Sequence, residues 1–291
     1  MRNQEQLKEM LTQISVQDYN VPNGVDMDGL ISDMLIHLGD ADGELRDDLI
    51  YSIFGEWTDA ELLSSAQMKH ILDTCLSDNY LFNGIGKADT DTVFTRSFST
   101  LAIALAFCLQ DEKPFLTAKE VGNIQAILMR YAAQEKDYRG YVKGNGWAHA
   151  IAHLADALAN AFGVDKVVGG DYAPSVTDLH KGLATIKMLI CNKDFVYVAE
   201  EDERLVGTFF SICSSELLTT VDIIAWVDSF DMGNKEREIY PDDYNLRVNK
   251  KNFMRSLYFQ LLECADGEFD EIAVREVDKH ILGFLVEHED D

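Results

Sequence analysis

This sequence is poor in the residues that mark several common protein classes. Proline occurs only four times, and the five cysteines are odd in number, far apart and set in apolar helical patterns. Such cysteines predict reduced core residues and argue against a disulfide framework or a zinc site. The N-terminal segment has no apolar signal region, and the longest uncharged run, Ser97 to Gln110, is shorter than the ~20 residues of a membrane span. We therefore expect a soluble, cytoplasmic protein with no membrane partner.

Positive charge is also scarce. Lysine and arginine total 25 against 51 aspartates and glutamates, which gives a formal net charge of −26. A surface this acidic repels phosphate backbones and anionic membranes, so nucleic acid is not an expected partner. The same charge favours solubility and attracts cations or basic proteins.

Alternating strand patterns are missing, whereas almost every segment repeats its apolar residues at the 3.6-residue period of a helix. The third predicted helix opens after the turn at residues 39–43, and capping boxes at Thr58/Glu61 and Thr117/Glu120 open two more. The segment from Thr92 to Leu109 is apolar almost all round and predicts a buried helix. Other helices are predicted at about residues 4–14, 26–38, 175–191, 200–218, 220–230, 248–264 and 268–287.

A faint internal repeat connects two parts of the chain. The segment ILDTCLSDNYLF from Ile71 is similar to IKMLICNKDFVY from Ile186, and Arg46 and Arg96 are 50 residues apart. That step suits helix-pair repeats of roughly 40–50 residues, with chance similarity between amphipathic helices as the alternative. The fold class we predict is all-α, a HEAT/armadillo-like αα-superhelix of about five helix pairs. Because the sequence has no linker rich in proline, glycine or serine, we predict a single domain over residues 1–291.

One stretch, EKDYRGYVKGNGWAHAIAHLADAL from Glu135 to Leu158, carries the most chemistry. A charged turn with glycine breaks leads into a helix that bears His149, His153 and Asp156. This i, i+4, i+7 spacing places two imidazoles and a carboxylate on one helical face. Such a stripe could bind a divalent metal, move protons or contact a polar partner.

The same helix has a second, apolar stripe that begins with Trp147 and continues through Ile151, Leu154, Leu158 and Phe162. If this stripe faces the core, the histidine stripe faces solvent or a groove. The structural alternative is that His149 and His153 hydrogen-bond to neighbouring loops and fix the packing of repeats. Ala150 follows the first histidine where zinc proteases have glutamate, which argues against a helix-borne protease base.

Two arginines extend the candidate site. Arg96 begins a buried helix, so its guanidinium needs a partner, for which Asp89, Asp91 and Asp137 are the predicted choices. Arg96 or Arg139 could hold a carboxylate or phosphate, or could join adjacent helix pairs as a ladder of ion pairs. Glu135 and Asp137 complete the acidic side of the turn.

Four motifs carry a family resemblance: ELRDDL from Glu44, YLFNGIG from Tyr80, DTVFTRSF from Asp91 and the long stretch from Glu135. In these segments the chain resembles a bacterial family described only as a domain of unknown function, family 2785. The resemblance implies an all-helical, HEAT-like fold, and it implies no activity.

The preferred functional hypothesis is a binding or scaffold module that presents a concave polar groove around residues 135–160 to a protein or a small polar ligand. Its ligand-binding residues would be Arg96, Glu135, Asp137, Arg139, Trp147, His149, His153 and Asp156. The alternative is a metal-dependent, hydrolase-like enzyme whose ion is held by His149, His153 and Asp156. In a third hypothesis the motif is purely architectural and the acidic surface carries the function.

Overall fold

The computed structural model describes residues 2–230, 239–264, 277 and 279–282. Helices make up most of these residues, so the all-helical prediction is confirmed at this level. Contacts between Cα atoms divide the chain into two compact units, Met1–Ala173 and Pro174–Asp291. The single domain over residues 1–291 stays a prediction.

The first unit contains seven α-helices, one π-helix and two short β-hairpins among the residues described. The helices are α1 (Gln4–Ser15), α2 (Met27–Ile36), a π-helix (Glu44–Tyr51) continued by α3 (Ser52–Asp59), α4 (Ser65–Cys75), α5 (Thr92–Glu112), α6 (Ala118–Gln134) and α7 (Ala150–Gly163). The antiparallel hairpins are β1 (Tyr141–Val142) with β2 (Gly146–Trp147), and β3 (Lys166–Val167) with β4 (Gly170–Asp171).

Helix α5 is the centre of this unit and packs against α3, α4 and α7. By length and composition it could cross a membrane, and it is the one described helix that passes this test. The helix is therefore longer than the uncharged run from Ser97 to Gln110, on which our length argument rested. Because 83% of its most apolar window is buried inside the protein, α5 has the pattern of a core helix. The cytoplasmic location stays a prediction.

Small residues let the neighbours of α5 come close. The alanines of α7 at positions 150, 152, 155, 157 and 161 are buried, so α7 lies directly against α5. Gly39, after α2, is closer still, because a Cβ atom there would lie 2.5 Å from the Cα atom of Thr95. No side chain fits at that distance, so this loop and α5 touch through their backbones.

The described part of the second unit consists of α8 (Val176–Ile190), α9 (Glu201–Cys213), α10 (Thr220–Asp228) and α11 (Asp242–Cys264). Helix α9 packs against α8 and α11. The Trp226 indole donates to the Leu183 carbonyl at 2.9 Å and stacks on Phe209, which fixes α10 in this core. Asn249 on α11 donates to the Asn192 and Phe195 carbonyls and so holds the loop after α8.

Several predicted boundaries need correction. The capping box at Thr58/Glu61 is wrong, because Thr58 lies inside α3 and Ser64 with Gln67 caps α4 instead. The box at Thr117/Glu120 is confirmed. Helix α11 begins at Asp242 rather than near Val248. The helix predicted at about 268–287 lies outside the described residues except for 277 and 279–282.

The end of α5 carries a pH-sensitive carboxyl. Asp111 is exposed at the surface, but partial desolvation of its carboxyl, and next the charge of Asp165, raise its pKa from 3.8 to about 6. The unfolded chain loses this proton first as the pH rises, so the free energy of unfolding falls between the two pKa values. Asp111→Asn is expected to raise Tm at about pH 7, with a gain that shrinks as the pH is lowered towards about 4.

Thermal unfolding across this pH range checks the expectation. Asp171→Asn, on the exposed strand β4, is the matched control because it removes one negative charge from the surface of the same unit. A gain that does not depend on pH, or an equal gain in the control, would show that general charge reduction is responsible.

Candidate functional site

The hairpin of β1 and β2 presents two aromatic side chains at the surface. Tyr141 pairs with Trp147 across the strands, and the turn between them uses Gly144 and Gly146 at positive φ angles of 92° and 84°. A Cβ atom at Gly146 would lie 2.9 Å from Asp47 Oδ2. Glycine is therefore needed there both for the backbone angle and for the close approach of the π-helix.

His149 connects this hairpin to α7 in a left-handed conformation, with φ 49° and ψ 35°. Its N–H donates to the Arg139 carbonyl at 2.9 Å, and the neighbouring Ala148 N–H donates to Gly140 at 2.8 Å. A non-glycine residue adopts this conformation at a cost, which the surrounding contacts offset. The chain thus turns at His149, and α7 begins one residue later.

A row of ring contacts runs from the surface to the core. The Tyr141 and Trp147 rings meet edge to face with their centroids 5.2 Å apart, and the Trp147 ring stacks on that of His149 with a centroid distance of 4.6 Å. His149 contacts His153 at 5.4 Å, and His153 contacts the buried Phe98 at 5.2 Å. The two imidazoles therefore lie between the exposed Trp147 indole and the buried Phe98 ring, and each contacts its neighbours through its ring.

This arrangement corrects the predicted orientation of the stretch. Trp147 was expected on the apolar stripe of the helix, but it lies on β2 and is 42% exposed. His149 and His153 were expected at solvent or in a groove, but both are buried. The rest of the apolar stripe is buried as predicted, from Ile151 to Phe162. Trp147 was misplaced because the periodicity argument continued the helix back past His149, the left-handed residue before which the helix does not extend.

Beneath the hairpin lies a buried arginine that the sequence did not reveal as a site residue. The Arg46 guanidinium is fully buried and lies over the rings of Phe94 and Phe98, at 4.1 and 4.8 Å. It donates to the carbonyls of Asp40 at 2.5 Å, Asn145 at 2.7 Å and Trp147 at 3.2 Å. Arg46 thereby fixes the turn and β2 to the π-helix.

Asp47 balances this charge. Its Oδ1 lies 2.7 Å from Arg46 Nε, but the N–H does not point at it, so the contact is electrostatic rather than a hydrogen bond. Its Oδ2 accepts from the Trp147 N–H at 3.3 Å. Burial raises the pKa of Asp47 and lowers that of Arg46, with the attraction between them opposing both shifts. Both residues lie on the π-helix, a rare element that is often found at functional sites.

Arg96 pairs with a residue that our prediction did not name. Its Nε and one terminal nitrogen donate to Glu135 at 2.6 and 2.8 Å, not to Asp89, Asp91 or Asp137. Its other terminal nitrogen donates to the Asn83 carbonyl and the Thr92 hydroxyl. Burial opposes the charge, but the contacts with Glu135 leave the pKa of Arg96 raised overall.

Glu135 uses its remaining capacity within the same turn. Its carboxylate accepts from the Tyr131 hydroxyl at 2.6 Å and from the backbone N–H groups of Lys136 and Asp137. Tyr131 is fully buried, and burial raises the pKa of its hydroxyl well above the ordinary value. The Arg96–Glu135 pair therefore closes the C-terminal end of α6 onto α5 and is internal to the fold.

Arg139 and Asp137 form a second ion pair two residues apart. Arg139 donates from Nε and a terminal nitrogen to the two Asp137 oxygens, at 2.8 and 2.6 Å. It also donates to the Thr90 carbonyl at 3.0 Å, which ties the turn to the loop before α5. The hydrogen bonds that Arg139 donates to Asp137 raise the pKa of Arg139.

Asp156 lies half-buried on α7, three residues beyond His153. In the part of the chain that the structure describes, no three His, Cys, Asp or Glu side chains form a group that could hold a metal ion. The geometry thus lends no support to an ion at His149, His153 and Asp156, and the metal hypothesis stays a prediction. The groove around residues 135–160 also stays a prediction.

Two site residues had weak signals in the sequence. Tyr141 belongs to a tyrosine-rich turn and is 63% exposed. Arg46 lies one helical turn before Leu49 and Ile50, a spacing that could have marked it as a buried cation. Its partner Asn145, 99 residues further along the chain, has no such marker.

These observations define a mostly helical protein with an exposed aromatic hairpin anchored by a buried arginine. The family described as "Protein of unknown function (DUF2785)" matches residues 81–259, and the chain belongs to this family. Our predicted resemblance is therefore confirmed. No curated protein and no solved structure matches the chain significantly.

Proposed function

We propose that this protein is a binding module whose contact surface is the segment from Gly140 to His149, named here the aromatic hairpin. Tyr141 and Trp147 are its contact residues. Tryptophan and tyrosine dominate the energetic centres of protein interfaces, because they offer large areas at a small entropic cost. Their exposure on a short hairpin therefore favours recognition of a protein partner.

The observation that carries this proposal is that three energetically unfavourable features lie in or beneath the aromatic hairpin. A buried guanidinium, a left-handed histidine and an eight-residue π-helix all contact or continue this one segment. Each element is less stable than its ordinary alternative. Together they hold the Trp147 indole in one place, as a preorganised contact surface requires.

For the frame of the module we propose HEAT-like repeated helix pairs. The two similar segments noted in the sequence end α4 and α8, and in each case the next helix packs against the preceding one, α5 on α4 and α9 on α8. Repeats of this kind provide extended binding surfaces. This frame and the cytoplasmic location are parts of the proposal.

Site-specific photocrosslinking in the native host tests the contact surface. A photoreactive phenylalanine analogue at position 141 is expected to give a discrete adduct, identified by mass spectrometry and reproduced with the purified partner. Adding Trp147→Ala is expected to reduce the adduct about tenfold or more, the loss typical of an interface hot spot.

The matched control places the same analogue at Val168, which is 53% exposed in the turn of the other hairpin of this unit. Adducts that are identical at positions 141 and 168, or that persist with Trp147→Ala, would refute the aromatic hairpin as the contact surface.

A further inference from the structure

The geometry of the aromatic hairpin restricts the chemistry of its partner. The Tyr141 and Trp147 rings lie 5.2 Å apart at an interplanar angle of 81°, so they form a corner rather than a flat platform. His149 covers one face of the indole. Ring faces carry negative electrostatic potential, and corners of aromatic rings bind compact cations.

Negative charge predominates around this corner. The hairpin lies directly on the segment from Asp40 to Asp48, which has five carboxylates. Three cations oppose them: Arg46, Lys8, which pairs with Asp42 and Glu44, and Lys143 in the hairpin itself. Asn145 donates to the Ala41 carbonyl at 3.3 Å, and Arg46 bonds the Asn145 carbonyl. Asp48 is exposed beside Asp47. The rings and the acidic segment therefore favour the same sign of charge in an occupant.

The charge of the whole chain selects among the possible occupants. A second copy would bring another net charge of −26 to the surface, which opposes self-association through this face. A basic segment is attracted both by the long-range field and by the corner itself. We infer that the aromatic hairpin binds a basic segment of a partner protein, with an arginine or lysine side chain seated against Tyr141 and Trp147. This inference rests on the proposed function and names the class of its partner.

Two pentapeptides separate charge from shape. One alternates glycine with arginine, and the other replaces arginine by citrulline, which keeps the shape of the side chain and removes its charge. Titrations into 15N-labelled full-length protein follow the three tryptophan indole N–H signals. Trp57 and Trp226 donate theirs to carbonyls in the interior, so only Trp147 reports on the surface.

The arginine peptide is expected to shift the Trp147 signal saturably, with a Kd about fivefold lower than that of the citrulline peptide. The difference is expected to shrink as salt is added, because exposed charges are screened. Tyr141→Ala is expected to remove the difference between the peptides, whereas Val168→Ala, in the other hairpin, is expected to preserve it. Asp48→Asn is expected to reduce it.

The outcomes distinguish this inference from the proposed function. Equal binding of both peptides, or shifts spread over the acidic surface without saturation at Trp147, overturns the cationic partner while crosslinking at position 141 can still succeed. Failure of the crosslinking experiment as well overturns the binding module itself.

Discussion

Replacing Arg46 with methionine is expected to lower the free energy of unfolding by about 3–5 kcal/mol. Methionine keeps the apolar contact with Phe94 and Phe98, but it cannot donate to the carbonyls of Asp40, Asn145 and Trp147. The Asp47 carboxylate also loses its cation in a largely buried place. The loss thus combines one stranded charge with three carbonyls deprived of their donor.

Urea unfolding of the intact chain measures this loss. Arg130→Met is the matched control, because the Arg130 guanidinium lies 4.1 Å from the centre of the Phe82 ring but the residue is exposed. That variant should lose no more than about 1 kcal/mol. If the two variants were equally stable, Arg46 would not be the anchor of the aromatic hairpin.

The second large effect is expected at Arg96. Arg96→Met leaves the Glu135 carboxylate buried without a cation and should cost about 3–5 kcal/mol. Glu135 would still accept from Tyr131, Lys136 and Asp137, so its negative charge rather than its hydrogen bonding is left uncompensated.

A double-mutant cycle isolates this charge. Glu135→Gln added to Arg96→Met removes the stranded charge while the amide oxygen still accepts, so the double variant should be more stable than Arg96→Met alone by about 1 kcal/mol or more. If the losses of the two single variants simply add in the double variant, the two residues do not act as a pair.

The sequence predicted the helical elements well because their signals are local. The all-round apolar pattern of α5 marked it as the buried helix, and Thr117 with Glu120 marked the start of α6. Strands of only two residues are too short to alternate, so both hairpins were missed. The left-handed backbone of His149 has no signature in residue type, and it moved Trp147 from the core to the surface.

The pairing of charges depends on contacts between segments that are distant in sequence. The need of Arg96 for an acidic partner followed from its place in an apolar helix, but Glu135 became that partner only through the packing of α6 on the rest of the unit. The turn from Glu135 to Arg139 was correctly singled out as charged. Its two acids serve two different arginines, and neither pairing could be chosen from residue spacing alone.

The placement of the three tryptophans gives the protein its own optical probes. Trp57 is buried in the first unit, Trp226 is nearly buried in the second, and Trp147 stands at the surface. In variants that retain a single indole, Trp57 and Trp226 would report separately on the melting of each unit. Trp147 emission would report on the solvent exposure of the aromatic hairpin, so binding at that surface could be followed without any added dye.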